Sequence, residues 1–178
     1  LADRFLTQKQ LSAMEPTYPL CVFMCRACGL HQLTFTVDPH ILYQEDYPYA
    51  MSHTQTGKNH YRNFARSIVK RFSLIQSDLV VDIGSNIGTL LQGFKQEGTQ
   101  VLGVDPAANI ARIANEQGIP TIADFFNIDV AYHAREQYGP AKIIVGTNVF
   151  AHIFDHHALC VHSSHFLKSF GKYASSAA

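Results

Sequence analysis

Residues 82–88, Asp-Ile-Gly-Ser-Asn-Ile-Gly, decide the fold. They close the apolar run at residues 79–83 and precede a helical pattern at residues 89–96. A strand, a glycine loop and a helix in this order begin a βαβ unit, in which the helix N-terminus offers amide groups to a ligand. Gly84 allows a tight turn, and Gly88 lets the helix and the strand approach closely.

The same alternation of strand and helix continues along the chain. Apolar runs and helical periodicity predict strands at 101–105, 120–123 and 141–145, and helices at 56–74, 108–117, 127–138 and 156–168. Apolar strands that alternate with helices are typical of a parallel sheet covered on both faces. We therefore predict a doubly wound, Rossmann-like α/β fold. The last helix is predicted to stop at Gly171, and the small, polar residues 172–178 are not expected to form a further strand.

The first part of the chain has a different character. Four prolines and three cysteines interrupt residues 1–54, where short strands are predicted only at 20–24 and 33–37. This pattern predicts a small irregular module at 1–54, followed by the α/β domain at 55–178. We expect that domain to be truncated after its fourth strand and the following helix.

Composition excludes several classes of protein. The 178 residues hold 14 basic and 14 acidic side chains, so the basic excess of a nucleic-acid binder is absent. No apolar run approaches the roughly 20 residues that cross a bilayer. Four cysteines are too few for a secreted disulfide scaffold of this length. A cytoplasmic protein with a small-molecule substrate, and with neither a nucleic-acid nor a membrane partner, is expected.

The glycine loop and the residues around it predict a cofactor site. Asp105 ends the next strand, where a carboxylate can accept both hydroxyls of a ribose. Asn86 replaces the middle glycine of the dinucleotide fingerprint, which favours S-adenosylmethionine (SAM) over NAD; a plain βαβ turn is the alternative. Asp82 can supply the acidic surroundings that a sulfonium needs. The predicted cofactor contacts are Asp82, Gly84, Ser85, Asn86, Gly88, Asp105, Pro106, Asp124, Phe125 and Asn148.

Further candidates follow the third and fourth strands. Phe125 and Phe126 could flank an adenine, with Asp124 near its amino group, or could belong to the core. His152 comes just after the fourth strand and would face the ligand crevice as an acid, a base or a hydrogen-bond donor. A loop histidine that faces solvent is the alternative.

The cysteines favour a partial metal site. Cys25-x-x-Cys28 can supply two thiolates to a tetrahedral zinc ion, and Cys21 and His31 are weaker candidates for completing the set. Buried thiols are a second interpretation. An iron–sulfur site of the kind found in radical SAM enzymes is a third, which the glycine loop contradicts.

Five stretches resemble SAM-dependent sugar C-methyltransferases, a family in which a zinc-binding domain precedes a class I methyltransferase domain. They are LADRFL with EPTYPL within 1–20, CRACGLHQL at 25–33, VDPHILY at 37–43, VDIGSNIGTLL at 81–91 with LGVDPAANIA at 102–111, and TNVFAHI at 147–153. The resemblance implies methyl transfer to a carbon of a nucleotide-linked keto-sugar. It also implies a substrate-contacting tyrosine in the region of Tyr47 and Tyr49. We take Tyr49, together with His152, as the candidate catalytic residues.

Three departures from the family pattern bear on the expected activity. The family has an earlier C-x-x-C pair upstream of LADRFL, and many members have aspartate where this chain has Ile87. The family also continues past Gly171 into strands that carry a catalytic Glu and His. The chain is therefore expected to be a fragment with little activity of its own. A nucleotide-binding oxidoreductase and a non-catalytic SAM-binding module are the alternatives.

Overall fold

The computed structural model describes residues 8, 10–43, 47–48, 54–153 and 155–176. The chain forms two compact units, residues 1–48 and residues 49–178.

The N-terminal unit contains a β-hairpin. Strand β1 (Val22–Met24) pairs antiparallel with β2 (His31–Leu33). The prediction of the second strand at 33–37 was wrong in position. The amide of Cys25 donates to the carbonyl of Leu30 at 2.7 Å, which closes the turn and starts the return strand earlier. A 3-10 turn at Gln10–Ser12 precedes the hairpin, and a short helix, α1 (Pro39–Tyr43), follows it.

The larger unit alternates helices and strands as predicted. In chain order its elements are α2 (Gln55–Phe72), β3 (Leu79–Ile83), α3 (Thr89–Gln96), β4 (Gln100–Val104), α4 (Ala108–Glu116), β5 (Thr121–Ile122), α5 (Ile128–Tyr138), β6 (Ala141–Thr147), α6 (His156–Phe166) and β7 (Leu167–Ser176). The strands form one parallel sheet in the order β5-β4-β3-β6-β7. The predicted doubly wound α/β fold is confirmed.

Polar side chains set the starts of three helices. Thr54, Asn127 and Asp155 each accept a hydrogen bond from an amide three residues on, at 3.1, 2.9 and 2.8 Å. These bonds satisfy amides that have no partner inside the helix.

No helix in the described part of the chain combines the length and apolar character needed to cross a membrane.

Each face of the sheet buries its own apolar cluster. One cluster joins Ala65 and Ile68 of α2 and Leu91 and Phe94 of α3 to the sheet. The cluster on the other face includes residues of α5 and α6. The connections between β3, β4 and β5 therefore lie on one face of the sheet, and the chain changes to the other face between β5 and β6. The crevice outside the carboxyl ends of β3 and β6 is the usual ligand position in such a sheet.

The C-terminal segment corrects the prediction of a missing strand. The final helix ends at Phe166, and Leu167–Ser176 pairs with β6 as a parallel strand, with Tyr173 opposite Ile144. The prediction relied on the small, polar side chains of residues 172–178. A ladder is made by backbone groups, however, and a strand at the end of a sheet needs no continuous apolar run.

Candidate functional site

The loop between β3 and α3 depends on three residues in the left-handed region. Gly84, Asn86 and Gly88 have φ values of 67°, 50° and 79°. Asparagine tolerates this region better than other residues with a side chain, which explains how Asn86 can occupy a position where the dinucleotide fingerprint has glycine. The amide of Gly88 donates to the carbonyl of Ser85 at 3.0 Å and closes the turn onto the start of α3.

Two glycines of the loop have side chains packed against the position of a missing Cβ. A Cβ on Gly84 would lie 2.5 Å from Cγ2 of Val149, in the segment after β6. A Cβ on Gly88 would lie 2.8 Å from Cγ2 of Ile119, just before β5. Bare backbone is therefore required on both sides of the loop.

Asp105 fixes the loop to the end of β4. Its Oδ2 accepts a hydrogen bond from the amide of Asn86 at 2.8 Å, and its Oδ1 accepts one from the amide of Ala107 at 3.0 Å. The residue is only 7% exposed. A carboxylate has about four acceptor positions, so two remain for a ligand. The sequence predicted a ribose contact here, but it did not reveal that Asp105 also holds the loop.

A pocket opens at the point where the chain changes faces. Its walls come from the ends of β3 and β6, the glycine loop, the second turn of α2 and the start of α3. Asp82 Oδ1 and Ser85 Oγ are buried and have no hydrogen-bond partner among the residues that the structure describes. None of the described residues that line the pocket carries a basic side chain. The lining comprises Tyr61, Asp82, Gly84, Ser85, Asn86, Thr89, Leu90 and Thr147.

The pocket has an acidic floor. Burial raises the pKa of Asp82 well above its usual value, and the nearby charge of Asp105 raises it further. The pKa of Asp105 is also raised by burial, although hydrogen bonds from the amides of Ala107 and Asn86 counteract that rise. A buried carboxylate without a partner is stabilised by a cation, so the floor of the pocket favours a positively charged group.

These pKa shifts predict how stability depends on pH. At pH values above 3.8, the ordinary pKa of Asp82, the folded chain holds the Asp82 proton more tightly than the unfolded chain does. Stability should therefore fall as the pH rises through the raised pKa. The Asp82→Asn variant should lose much of this slope, leaving the part due to Asp105. Urea unfolding across the pH range measures it.

Glu136→Gln is the control for this prediction, because Glu136 is exposed. A change in the Glu136→Gln profile as large as that in the Asp82→Asn profile would show that the effect is not specific to Asp82. An Asp82→Asn profile as steep as that of the unchanged chain would contradict the assignment.

The segment after β5 divides the predicted aromatic pair. Phe126 packs against the core cluster on the α5–α6 face, where its ring stacks on Phe166 at a centroid distance of 6.5 Å. Phe126 therefore belongs to the core. Phe125 is half-buried, and its amide donates to the exposed Asp124 carboxylate at 2.7 Å. Asp124 and Phe125 remain predicted adenine contacts.

The segment after β6 begins with another residue in the left-handed region. Asn148 has a φ of 57° and is exposed, and a 3-10 turn at Phe150–His152 follows. His152 is exposed on this turn. The turn is held by the ring of His156, whose Nε2 lies 2.7 Å from the carbonyl oxygen of Phe150. Asn148 and His152 thus follow the carboxyl end of β6.

Pro106 and Tyr49 are the remaining predicted site residues. Pro106 is half-buried between Asp105 and Ala107 at the end of β4. Tyr49 lies outside the described residues. Both remain predictions.

The cysteine pair forms a knuckle in the hairpin turn. Hydrogen bonds from the amides of Cys28 and Ala27, and one with the Cys28 side chain, lower the pKa of Cys25. Amides that turn toward a sulfur stabilise the thiolate, which is the form that binds metal. No cluster of three metal-binding side chains is found among the residues that the structure describes. Cys25 and Cys28 therefore fit half of a tetrahedral site.

Sequence reasoning missed four residues of the pocket lining, which are Tyr61, Thr89, Leu90 and Thr147. Tyr61 lies four and seven residues before Ala65 and Ile68, so the helical period places it on the buried face of α2. Its place in the pocket, however, depends on the packing of α2 on α3, which the sequence alone does not show. Thr147 ends β6 and could have been found as a polar residue at a strand end.

Two family models match the chain. Residues 1–43 match the family described as "Putative zinc binding domain", and residues 58–174 match "Methyltransferase domain". A curated relative, the C-methyltransferase NovU of Streptomyces niveus, is 37% identical over 157 residues. That alignment covers 88% of this chain and 37% of the relative, so the chain spans little more than a third of its length.

Solved structures share the fold. A putative S-adenosyl-L-methionine-dependent methyltransferase from Methanococcus maripaludis superimposes with a TM-score of 0.56 at 19% identity, covering 71% of this chain and 67% of that one. An S-adenosylmethionine-dependent methyltransferase from Clostridium acetobutylicum gives 0.51 at 16% identity, covering 66% and 49%. At these identities the likeness establishes the α/β architecture.

Proposed function

The chain belongs to the methyltransferase-domain family, and from this premise we propose that it binds SAM as part of a C-methyltransferase. The supporting relative is a C-methyltransferase. The resemblance described from the sequence suggests a nucleotide-linked keto-sugar as the substrate. A cytoplasmic location fits this proposal, because thiolate metal ligands persist in reducing compartments.

One observation carries the assignment of the cofactor. The pocket at the ends of β3 and β6 contains a buried Asp82 oxygen that has no hydrogen-bond partner in the described part of the chain. The described residues of the lining include no basic side chain. SAM bears an ammonium and a sulfonium at its methionine end. A dinucleotide would instead bring a pyrophosphate to this loop, and its negative charge would disfavour the carboxylate form of Asp82 still further.

We assign the remaining predicted contacts to the same edge of the sheet. We assign the ribose hydroxyls to the two unused acceptor positions of Asp105. Asp124 and Phe125, after β5, would contact the adenine, since β5 follows β4 at that side of the sheet. Gly88 begins α3 without a side-chain cap, so the helix N-terminus suits the methionine carboxylate. Ser85, Asn86, Pro106 and Asn148 complete the proposed set.

The proposed reaction needs a base beside the substrate carbon. SAM supplies an electrophilic methyl group, and its sulfur leaves as a neutral thioether. A base removes the proton next to the ketone, and the electron pair of the broken C–H bond forms the enolate. The enolate carbon then forms a bond to the methyl group as the sulfur–methyl bond breaks. His152, exposed after β6, is the proposed acid or base, and Tyr49 is the second proposed catalytic residue.

Calorimetric titration tests the proposed cofactor. SAM and its thioether product S-adenosylhomocysteine should bind with one site per chain, and NAD should give no saturable heat. Saturable binding of NAD without binding of SAM would overturn the proposal. A methyl-transfer assay with nucleotide-linked keto-sugars then asks whether this chain turns over or only binds.

We also propose that Cys25 and Cys28 hold zinc in a structural role. Two thiolates supply half of the tetrahedral shell that such a site requires. Zinc bound through this pair is therefore expected to be lost to a mild chelator. Metal analysis of the purified chain before and after dialysis against the chelator measures the loss. A Cys160→Ser variant is the control, because Cys160 lies on α6.

Stoichiometric zinc that survives the chelator would contradict this prediction. It would mean that further ligands, such as Cys21, His31 or a second chain, complete the shell. Loss of that zinc in a Cys25→Ser variant would still assign the site to the knuckle.

A further inference from the structure

Tyr61 brings an aromatic ring to the pocket from outside the sheet. It lies in the second turn of α2, is half-buried, and packs against the core cluster that contains Leu90 and Phe94. It also lines the pocket, together with residues from the ends of β3 and β6. A tyrosine in this position contributes a wall to the pocket as well as a contact to the core.

The close packing of α2 on α3 holds this ring in place. A Cβ on Gly93 of α3 would lie 3.0 Å from Cβ of Ala65, 3.2 Å from Cα of Arg62 and 3.3 Å from the carbonyl oxygen of Tyr61. The bare backbone of Gly93 therefore lets the first half of α2 approach α3 closely. Tyr61 is consequently fixed by two helices, not by a loop.

The chemistry of the pocket defines which part of a ligand meets this ring. The floor is the buried Asp82, and Thr147 lies at the end of β6. The loop supplies the Ser85 hydroxyl, which has no hydrogen-bond partner among the described residues. An aromatic face attracts a cation electrostatically, and so does a carboxylate. An acidic floor and an aromatic wall thus favour the same positively charged group.

We propose that Tyr61 is a cofactor-positioning residue whose ring faces the sulfonium of SAM. This inference rests on the proposed function. The ring would stabilise the charged cofactor more than its neutral thioether product. It would therefore favour both binding of SAM and release of S-adenosylhomocysteine after methyl transfer.

The test compares the two ligands in the Tyr61→Leu, Tyr61→Phe and unchanged chains by calorimetry. Removal of the ring should weaken SAM by about three- to tenfold, the range for a partly desolvated cation–π contact, and should weaken S-adenosylhomocysteine less than twofold. Tyr61→Phe keeps the ring and should keep the ratio of the two dissociation constants. The ratio is insensitive to partial unfolding, because unfolding lowers the binding-competent fraction equally for both ligands.

His60→Ala is the matched control. His60 is exposed, contacts the Tyr61 ring at a centroid distance of 5.5 Å and does not line the pocket. It should leave both affinities unchanged. Equal weakening of the two ligands by Tyr61→Leu, or no weakening of either, would overturn the assignment of Tyr61. An unchanged chain that binds neither ligand would instead count against the proposed function.

Discussion

Replacement of Gly84 by alanine is expected to lower the free energy of unfolding by about 2–4 kcal/mol and to abolish measurable SAM binding. Two costs combine. The left-handed φ of 67° disfavours any Cβ, by about 1–2 kcal/mol. The new methyl group would also lie 2.5 Å from Cγ2 of Val149, which overpacks the contact between the loop and the segment after β6. Urea unfolding and calorimetry measure the two effects.

Two further variants separate the two costs. Gly98 has a φ of 93° and nothing within 4 Å of the position of a Cβ, so Gly98→Ala should show the conformational cost alone. In a Gly84→Ala, Val149→Ala double variant the close Cγ2 atom is gone, and the remaining Cβ–Cβ distance of 3.7 Å is an ordinary contact. The double variant should recover the overpacking part. If Gly84→Ala is no more destabilising than Gly98→Ala, the packing argument is wrong.

Replacement of Asp105 by alanine should weaken SAM binding by about 1.5–3 kcal/mol, roughly 10- to 150-fold. The variant removes the proposed acceptor of the ribose hydroxyls. It also leaves the amides of Asn86 and Ala107 without their carboxylate partner. Stability should fall as well, because these amides are held in a buried environment. Calorimetry of the folded variant at 25 °C gives the change in affinity.

Glu116→Ala is the control for the Asp105 prediction. Glu116 ends α4 in an exposed ion pair with Arg112 and lies away from the pocket lining. It should change neither the affinity for SAM nor the stability by more than a few tenths of a kcal/mol. Unchanged SAM affinity in Asp105→Ala would remove Asp105 from the proposed site.

Local signals were enough to predict the central part of the sheet. The apolar run at residues 79–83 and the glycine loop after it located β3 and α3, because the period of the apolar residues changes at Gly84. The order of strands and helices then gave the doubly wound fold. The strand at Leu167–Ser176 was missed because its pairing with β6 is a backbone interaction that side-chain composition does not encode.

The contacts within the candidate site were harder to predict than its location. Val149 lies 65 residues beyond Gly84 in the chain, so no local pattern connects their close approach. The same is true of Tyr61, which reaches the pocket through the packing of α2 on α3 at Gly93. Residues at strand ends could be predicted from topology, whereas residues that depend on tertiary packing could not.

The double hydrogen bonding of Asp105 has a thermodynamic consequence for the loop. The amides of Asn86 and Ala107 donate to the carboxylate, and the amide of Gly84 donates to the carbonyl of Val104 at 2.8 Å. Because these hydrogen bonds join groups of the chain itself, we expect them to order the loop without a cofactor. Binding should not include the conformational entropy cost of about 1–2 kcal/mol for each residue that a disordered loop would have to fix. Amide hydrogen exchange at Asn86 should correspondingly be slow in the absence of any ligand.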